Sequence, residues 1–349
     1  MKTRTLLVDS SYLLQRSFHG AKDTSTSAFG HIGGLYQFFT TIRKMIKDHM
    51  INKVVLVWDG EGGGIQRYVI DHAYKANHKN KKWHEKIEMS DRDIKREEEK
   101  DASVLKQRMR IQAYAEELFL RQIEIPEIEA DDIIAAYCLK YNNKEEIYLY
   151  SNDRDFAQLL DLNLTIIFPN INQPVTKSNY MMHFNHHYSN ALMLKIICGD
   201  TGDNVKGIEG MGEDTLLKHF PELKYKHLTV REICGKADVL NKERIVNKKK
   251  PLKVFENLLN NIEKLKINFQ LVSLREPLLN DEARAALEET ESPLSDDRGS
   301  KYLIPMMKED DFLSVYGSTF VQYVEPFYTV IQCERDLYLR HTGSKKKIL

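Results

Sequence analysis

Cysteine is scarce in this chain. Only 4 occur among 349 residues, Cys138, Cys198, Cys234 and Cys333, and none stands in a CxxC pair. That excludes a disulfide framework and a cysteine zinc site, and it suits a reducing cytosol. Long apolar runs are also missing. Nothing approaches the roughly 20 residues that a membrane-spanning helix needs. The N-terminal MKTRTLLVDSS has too short an apolar run for a signal peptide, so a cytoplasmic protein with no membrane partner is expected. Net charge is absent as well: 51 Lys and Arg stand against 51 Asp and Glu, so charge has to be read locally. Gly60-Glu61-Gly62-Gly63-Gly64 lacks the Gly-Lys-Ser/Thr ending of a P-loop, which excludes an NTPase of that type and leaves a flexible turn. His183, His186 and His187 lie close together without a cysteine or acidic residue spaced for zinc. No internal repeat is present.

The chain does have enough apolar residues, 42%, for a real core, and enough length for two modest domains. Several buried-strand runs end in aspartate. Thr5-Leu6-Leu7-Val8 leads to Asp9, and Lys53-Val54-Val55-Leu56-Val57-Trp58 leads to Asp59. Ile147-Tyr148-Leu149-Tyr150 leads to a turn carrying Asp153 and Asp155, with Phe156, Leu159 and Leu160 following at helical spacing. α/β sheets place their ligands at the carboxyl ends of strands. One aspartate at such a tip is more often a helix N-cap, and a loop with two is often merely solvated; the recurrence is the signal. Glu129-Ala130-Asp131-Asp132 adds three carboxylates to the first turn of an apolar helix. The helix dipole offsets only about 0.3–1 kcal/mol per charge, so convergence with Asp9 and Asp59 calls for a cation. Asp200 and Asp203 form a further pair on a turn after the helix Leu192–Cys198. Ile123–Pro126 and Leu164–Phe168 read as further strands, and Val104–Phe119 and Val254–Leu274 as helices.

Cationic features are grouped too. Gln66–Ala76 reads as a helix that would set Arg67 and Lys75 ~12 Å apart along its axis at 1.5 Å per residue, a rail for a phosphate backbone; a solvated charged face is the commoner case. From Lys75 to Arg110 there are twelve Lys/Arg against eight Asp/Glu. Lys79, Lys81, Lys82 and Lys86 surround Trp83, the basic–aromatic mixture that single-stranded nucleic acid requires, and a mobile helical excursion is expected. Gly207-Ile208-Glu209-Gly210-Met211-Gly212 can present backbone N–H groups to a phosphate before the helix Glu213–Phe220. Lys224 to Lys253 holds ten Lys/Arg against three Asp/Glu, including Lys248, Lys249 and Lys250, a basic patch in a neutral chain. Asp281 to Gly299 reads as an acidic linker, Tyr302 to Leu339 as one or two more elements, and Lys345-Lys346-Lys347 as a basic tail.

LLVDSSYLLQRSFHG, VVLVWDG, YKANHK, IEADDIIA, SNDRDFAQL and ICGDTGDNVKGIEGMG stand in the order found in the 5′-nuclease family. From about Thr5 to Leu274 the chain resembles the flap endonucleases, the 5′-exonuclease domain of bacterial DNA polymerase I and the phage 5′-exonuclease/RNase H enzymes. The resemblance implies an α/β fold with a mainly parallel central sheet flanked by helices, a helical arch and a helix-hairpin subdomain that binds duplex. The implied organisation is a nuclease domain over residues 1–190 with an arch at about 76–105, a hairpin subdomain over 191–280, a linker over 281–300 and an extension of unknown role over 301–349. Matched by motif, Asp9, Asp59, Glu129, Asp131 and Asp132 would form one metal cluster, and Asp153, Asp155, Asp200 and Asp203 a second. Lys75 matches the arch lysine and Arg67 the helical arginine, both expected to act on the scissile phosphate. Tyr74, Lys79, Lys81, Lys82, Lys206, Gly210, Gly212, Lys248, Lys249 and Lys250 are the expected nucleic-acid contacts. Two positions depart from the family pattern: Asp214 stands where a hairpin lysine is usual, and Lys206 where a turn proline is usual.

These expectations amount to a monomeric, divalent-metal 5′-3′ exonuclease or flap endonuclease. Oxygen ligands select two Mg²⁺ or Mn²⁺ ions, with a monovalent cation at the hairpin as a further expected ligand. Its partners would be DNA carrying a 5′ flap, nick or RNA primer, together with replication proteins. Two other readings stay open at this point: a non-catalytic module that binds DNA junctions, and a PIN-type ribonuclease. The arch and hairpin speak against the second, and the full set of acidic positions against the first.

Overall fold

The structure is a computed structural model, and it describes residues 2–21, 25–26, 30–76, 89–295, 297–313 and 319–343. Its centre is a five-stranded sheet: β1 (Thr3–Asp9), β2 (Lys53–Trp58), β3 (Arg121–Glu124), β4 (Glu145–Tyr150) and β5 (Leu164–Ile167). The spatial order is β3-β2-β1-β4-β5, and every neighbouring pair is parallel. Parallel strands need both faces covered, which is why the central strands carry the apolar runs Leu6–Val8, Val54–Trp58 and Ile147–Tyr150. Side chains alternate across the sheet. Leu7, Val55 and Val57 enter one core with Ile133, Ile134 and Tyr137 of the helix Ala130–Tyr141. Leu6, Val8, Val54, Leu56 and Trp58 enter the other, with Leu13 and Leu14 of the helix Ser10–Gly20, Phe38 and Phe39 of the helix Gly33–His49, and Ile111 and Tyr114 of the helix Asp91–Glu117. β1 lies between β2 and β4, so the winding reverses beside it. Open α/β sheets form their ligand crevice at such a reversal.

A second, mainly helical unit surrounds its own core. The helices Ala191–Cys198, Glu213–His219, Val230–Val246, Lys253–Asn260 and Ile262–Val272 bury Ile197, Leu216, Ile233, Phe255 and Leu271 together. Gln158 joins the two units, donating to the Val272 carbonyl at 3.0 Å and accepting from the Leu274 amide at 3.1 Å.

Several elements differ from the sequence expectation. The helix after Gly64 runs only from Ile65 to Ile70. Asp71 then takes an extended conformation and its side chain accepts from the Ala73 amide at 2.8 Å, a local turn that competes with helix propagation. Lys75 follows in the left-handed region at φ 51°, so Arg67 and Lys75 do not share a helical rail. The expected helix Val254–Leu274 is two helices, broken at Asn261. The expected helix at Val104 begins at Asp91, with Ser90 as its N-cap. Residues 281–300 are no simple linker: Asp281–Glu289 is a helix capped by Asn280, and its Ala283 and Leu287 pack in the core beside Tyr141. Acidic residues set the composition there, and the apolar face was hidden by it. The C-terminal helices Ser300–Glu309, Phe320–Val324 and Tyr328–Thr342, with the turn Glu325–Phe327, close one face of the sheet through Leu303, Met307, Tyr323, Phe327 and Val330. Among the described residues no helix is long and apolar enough to cross a membrane. Lys79, Lys81, Lys82, Trp83, Lys86 and Lys345-Lys346-Lys347 lie outside the described residues.

Candidate active site

The carboxyl ends of β1, β2 and β4 meet at the winding reversal, and the acidic residues gather there. Asp9 ends β1 and caps the next helix: its Oδ1 accepts from the Tyr12 amide at 3.0 Å, and its Oδ2 from the Ser151 hydroxyl at 2.9 Å. Ser151 is the first residue past β4, so one hydroxyl ties the two strand ends together. Asp59 follows β2. Gly60 behind it lies so close to the next loop that a Cβ would fall 1.7 Å from the Ile125 carbonyl oxygen, which only glycine permits. The Asp59 Oδ1 accepts from the Ala130 amide at 2.9 Å, fastening β2 to the start of the helix Ala130–Tyr141, where Glu129 and Asp131 stand.

Burial and mutual repulsion govern these groups. Burial raises the Asp9 carboxyl to about 7, with Asp59 and Asp153 adding to the rise against the bonds from Tyr12 and Ser151. Asp131 is pushed well above the usual range by burial, then by Asp153, Asp9, Asp59 and Glu129. Asp153 is raised by burial. Asp155 is raised to about 7 by burial and by Asp153, against the pull of Lys195. Asp131 thus feels carboxylates from both proposed clusters, which places the two clusters side by side.

Ammonium groups stand among the carboxylates. Lys75 pairs with Glu129 and lies 3.7 Å from Asp203. Its backbone amide donates to the Asp203 carbonyl at 2.9 Å. Tyr74 is buried, and its hydroxyl bonds Glu129 at 3.2 Å and Asp203 at 3.3 Å, so it spans the two groups from within instead of facing a ligand from the surface. Lys195 joins Asp155, at 2.7 Å, to Asp200. Burial would raise the Asp200 carboxyl, yet Lys195 and the Gly202 and Asp203 amides hold it below its usual value. Burial would likewise raise Glu129, and Lys75 and Arg67 bring it down. Lys195 and Ser151 were missed in the sequence. The one available signal was a single charge in the otherwise apolar helix ALMLKIIC.

Two expected site residues lie elsewhere. Arg67 is 4% exposed and Asp132 1%. The guanidinium donates through Nε to the Leu271 carbonyl at 2.8 Å, through one NH₂ group to Glu129 and Asp132, and through the other to Asp132 at 2.9 Å. The Leu278 amide also donates to Asp132 at 3.0 Å. Asp132 therefore faces an internal ion pair, and Arg67 reaches the crevice only through Glu129. Adjacent residues on a helix point about 100° apart, which motif spacing alone does not resolve.

The second unit offers exposed features of the expected kind. Lys206, Gly210, Gly212 and Asp214 are exposed along the hairpin, with Gly210 at φ 79°. Lys248, Lys249 and Lys250 are exposed beyond the helix Val230–Val246.

Eight carboxylates from five segments thus face one another: Asp9, Asp59, Glu129, Asp131, Asp153, Asp155, Asp200 and Asp203. Among the described residues no three acidic, histidine or cysteine side chains are drawn up as a finished metal shell. The donor chemistry nevertheless fits a hard divalent cation. All the donors are oxygens, four of the carboxyls are raised by crowding and burial, and ammonium groups sit between them.

Residues 4–188, just over half of the chain, match the family described as 5′-3′ exonuclease, N-terminal resolvase-like domain. A 5′-3′ exonuclease of Mycoplasmopsis pulmonis is 27% identical over 310 residues, covering 84% of this chain and 95% of that protein. The T5 5′-exonuclease, in a structure described with bound divalent metal ions (zinc), shares the fold at TM-score 0.61 and 20% identity, over 89% of this chain and 99% of its own. The bacteriophage T5 flap endonuclease, in a complex described with DNA and metal ions, aligns at TM-score 0.61 and 19% identity, over 90% and 100%.

Proposed function

Since the chain belongs to the 5′-3′ exonuclease family, we propose that its acidic crevice hydrolyses phosphodiester bonds at 5′ ends and at flap or nick junctions of DNA, RNA primers on DNA included. The protein is an enzyme, a structure-specific 5′ nuclease. The observation that carries the assignment of the site is the convergence of eight carboxylates at the reversal beside β1. A junction-binding protein has no use for such a charge. Bound DNA would be repelled by it unless cations intervene.

Asp9, Asp59, Glu129 and Asp131 would hold one divalent ion, and Asp153, Asp155, Asp200 and Asp203 the other, Mg²⁺ or Mn²⁺ in each case. When bound, the ions supply an acidified water and positive charge opposite the leaving 3′ oxygen. The remaining work falls to side chains. Ser151 orients Asp9, and Arg67 orients Glu129 while neutralising Asp132. Tyr74 keeps the two groups in register. Lys75 is a half-buried cation at the rim, its side chain 37% accessible. Once Glu129 is engaged elsewhere, its ammonium is free to meet charge growing on the scissile phosphate. Lys195 does the corresponding work for Asp155 and Asp200. The exposed hairpin and Lys248, Lys249 and Lys250 would grip duplex phosphates, with Lys206 taking over the positive charge that Asp214 lacks and a monovalent cation as a further hairpin ligand.

A panel of 5′-labelled flap, nicked and RNA-primed duplexes tests this reading. Cleavage at the junction or the 5′ end with Mg²⁺, and none with chelator, is expected. Binding of all three without cleavage under any divalent ion would leave a junction-binding module instead.

A further inference from the structure

The C-terminal segment is wired to the long helix Asp91–Glu117 at sites the nuclease reaction does not use. Arg110 donates to Asp310 through Nε at 2.7 Å and NH₂ at 2.9 Å, to Glu309 at 2.9 Å and to the Met306 carbonyl at 3.2 Å. Tyr114 donates to the same Asp310, which is buried. The last turn of the helix is held again: the Gly299 amide donates to Glu117 at 2.7 Å, and Arg298 donates to the Glu116 carbonyl at 3.1 Å and pairs with its side chain. Leu303, Met307 and Phe312 share one core with Ile111, Tyr114 and Ala115.

The other side of the helix faces the crevice. Arg108 donates to the Asp59 carbonyl at 3.3 Å, pairs with Glu124 at 2.8 Å and lies over the Trp58 ring. Towards its N-terminus the helix stands largely in solvent from Asp91 to Ala102. One helix therefore links three things: the C-terminal anchor at Asp310, the backbone of Asp59, and a solvent-exposed stretch towards its own N-terminus. A helix transmits a rotation or slide along its whole length because its turns are hydrogen-bonded in series.

We propose that Asp310, with Arg110 and Tyr114, is a positioning group that sets the pose of the helix Asp91–Glu117 over the crevice, and so determines how well a 5′ single strand is accepted. This rests on the 5′-nuclease reading given above. The C-terminal segment then acts as a brace for substrate selection, beyond covering the sheet. A nicked duplex, whose base-paired 5′ end presents no single strand to the helix, should depend on the brace far less than a long 5′ flap does.

The test compares wild type, Asp310→Asn, the milder Tyr114→Phe, and Glu334→Gln. Glu334 pairs with Arg121 on β3, outside the long helix, so its variant controls for loss of stability alone. Under single turnover, Asp310→Asn should slow flap cleavage about tenfold while nick cleavage stays within about twofold, the scale on which small misplacements act. Tyr114→Phe should shift the flap-to-nick ratio the same way by less, and Glu334→Gln should leave the ratio unchanged. Hydrogen exchange of amides 91–106, measured without metal or DNA, should quicken in Asp310→Asn although this stretch lies N-terminal to Arg110 and Tyr114, which hold Asp310. Unchanged exchange there, or an unchanged ratio in both Asp310→Asn and Tyr114→Phe, overturns the brace. If wild type cleaves neither substrate, the nuclease reading fails, and the exchange measurement still decides the brace.

Discussion

Removing the Arg67 guanidinium tests whether it holds a buried carboxylate or serves the substrate. In Arg67→Ala, Asp132 loses the bonds to both oxygens and keeps only the Leu278 amide. Glu129 still has Lys75 and Tyr74. The cost is therefore mainly one stranded buried carboxylate. Breaking a buried pair by deleting one partner costs about 3–5 kcal/mol, which for a chain of this size lowers Tm by on the order of 10 °C. The assay is thermal or urea unfolding with chelator present, so that metal binding does not enter. Deleting Asp132 as well should recover part of the loss. A double-mutant cycle over Arg67→Ala and Asp132→Ala should return a coupling of about 1–3 kcal/mol. If Arg67→Ala melts with the wild type but loses single-turnover cleavage, the guanidinium serves the substrate and the buried-pair argument is wrong.

Lys75→Ala should lower kcat and kcat/KM together, by roughly 10²–10³ in kcat; wild-type single-turnover cleavage at saturating enzyme would move Lys75 to the binding residues. Replacing Lys248, Lys249 and Lys250 by Ala should flatten the log–log salt dependence of duplex binding by up to ~0.9 for each phosphate no longer neutralised, and an unchanged slope would assign that patch another purpose. Metal-free stability should fall as pH rises from about 4 to 7. Asp9 and Asp155 titrate near 7 when folded and near 3.8 when unfolded, so the folded state holds protons the unfolded state has released, and that advantage disappears across the window. Saturating Mg²⁺, which binds the deprotonated carboxylates, should reverse the trend over that window, and a metal-free protein that grows more stable there would contradict the crowding.

Much of this was legible in the chain. A strand that must be buried on both faces is apolar without interruption, so β1, β2 and β4 could be read directly, and the aspartates that end them marked the crevice. What stayed hidden depended on orientation. Asp131 and Asp132 are neighbours in sequence, yet one faces the crevice and the other an internal arginine. Tyr74 resembled a surface aromatic beside lysines, although its hydroxyl lies between Glu129 and Asp203. Lys195 belongs to the site only because its helix ends where Asp200 turns back towards Asp155. The residues from 281 onward were opaque for another reason. Their contribution to the core is a few spaced apolar side chains, Ala283, Leu287, Leu303 and Met307, in segments whose composition is dominated by charge, and the pairing of Asp310 with Arg110 spans 200 residues.

The central claim is that the carboxylate crevice performs the hydrolysis. Single-turnover cleavage of a nicked duplex by Asp155→Asn, with Mg²⁺ and at saturating enzyme, tests it most directly. The substitution keeps the shape of the side chain and removes one charge from the second group. The expected result is near-complete loss of cleavage, with the circular dichroism spectrum and the duplex affinity in chelator both retained. Cleavage at the wild-type rate by this variant would contradict the account.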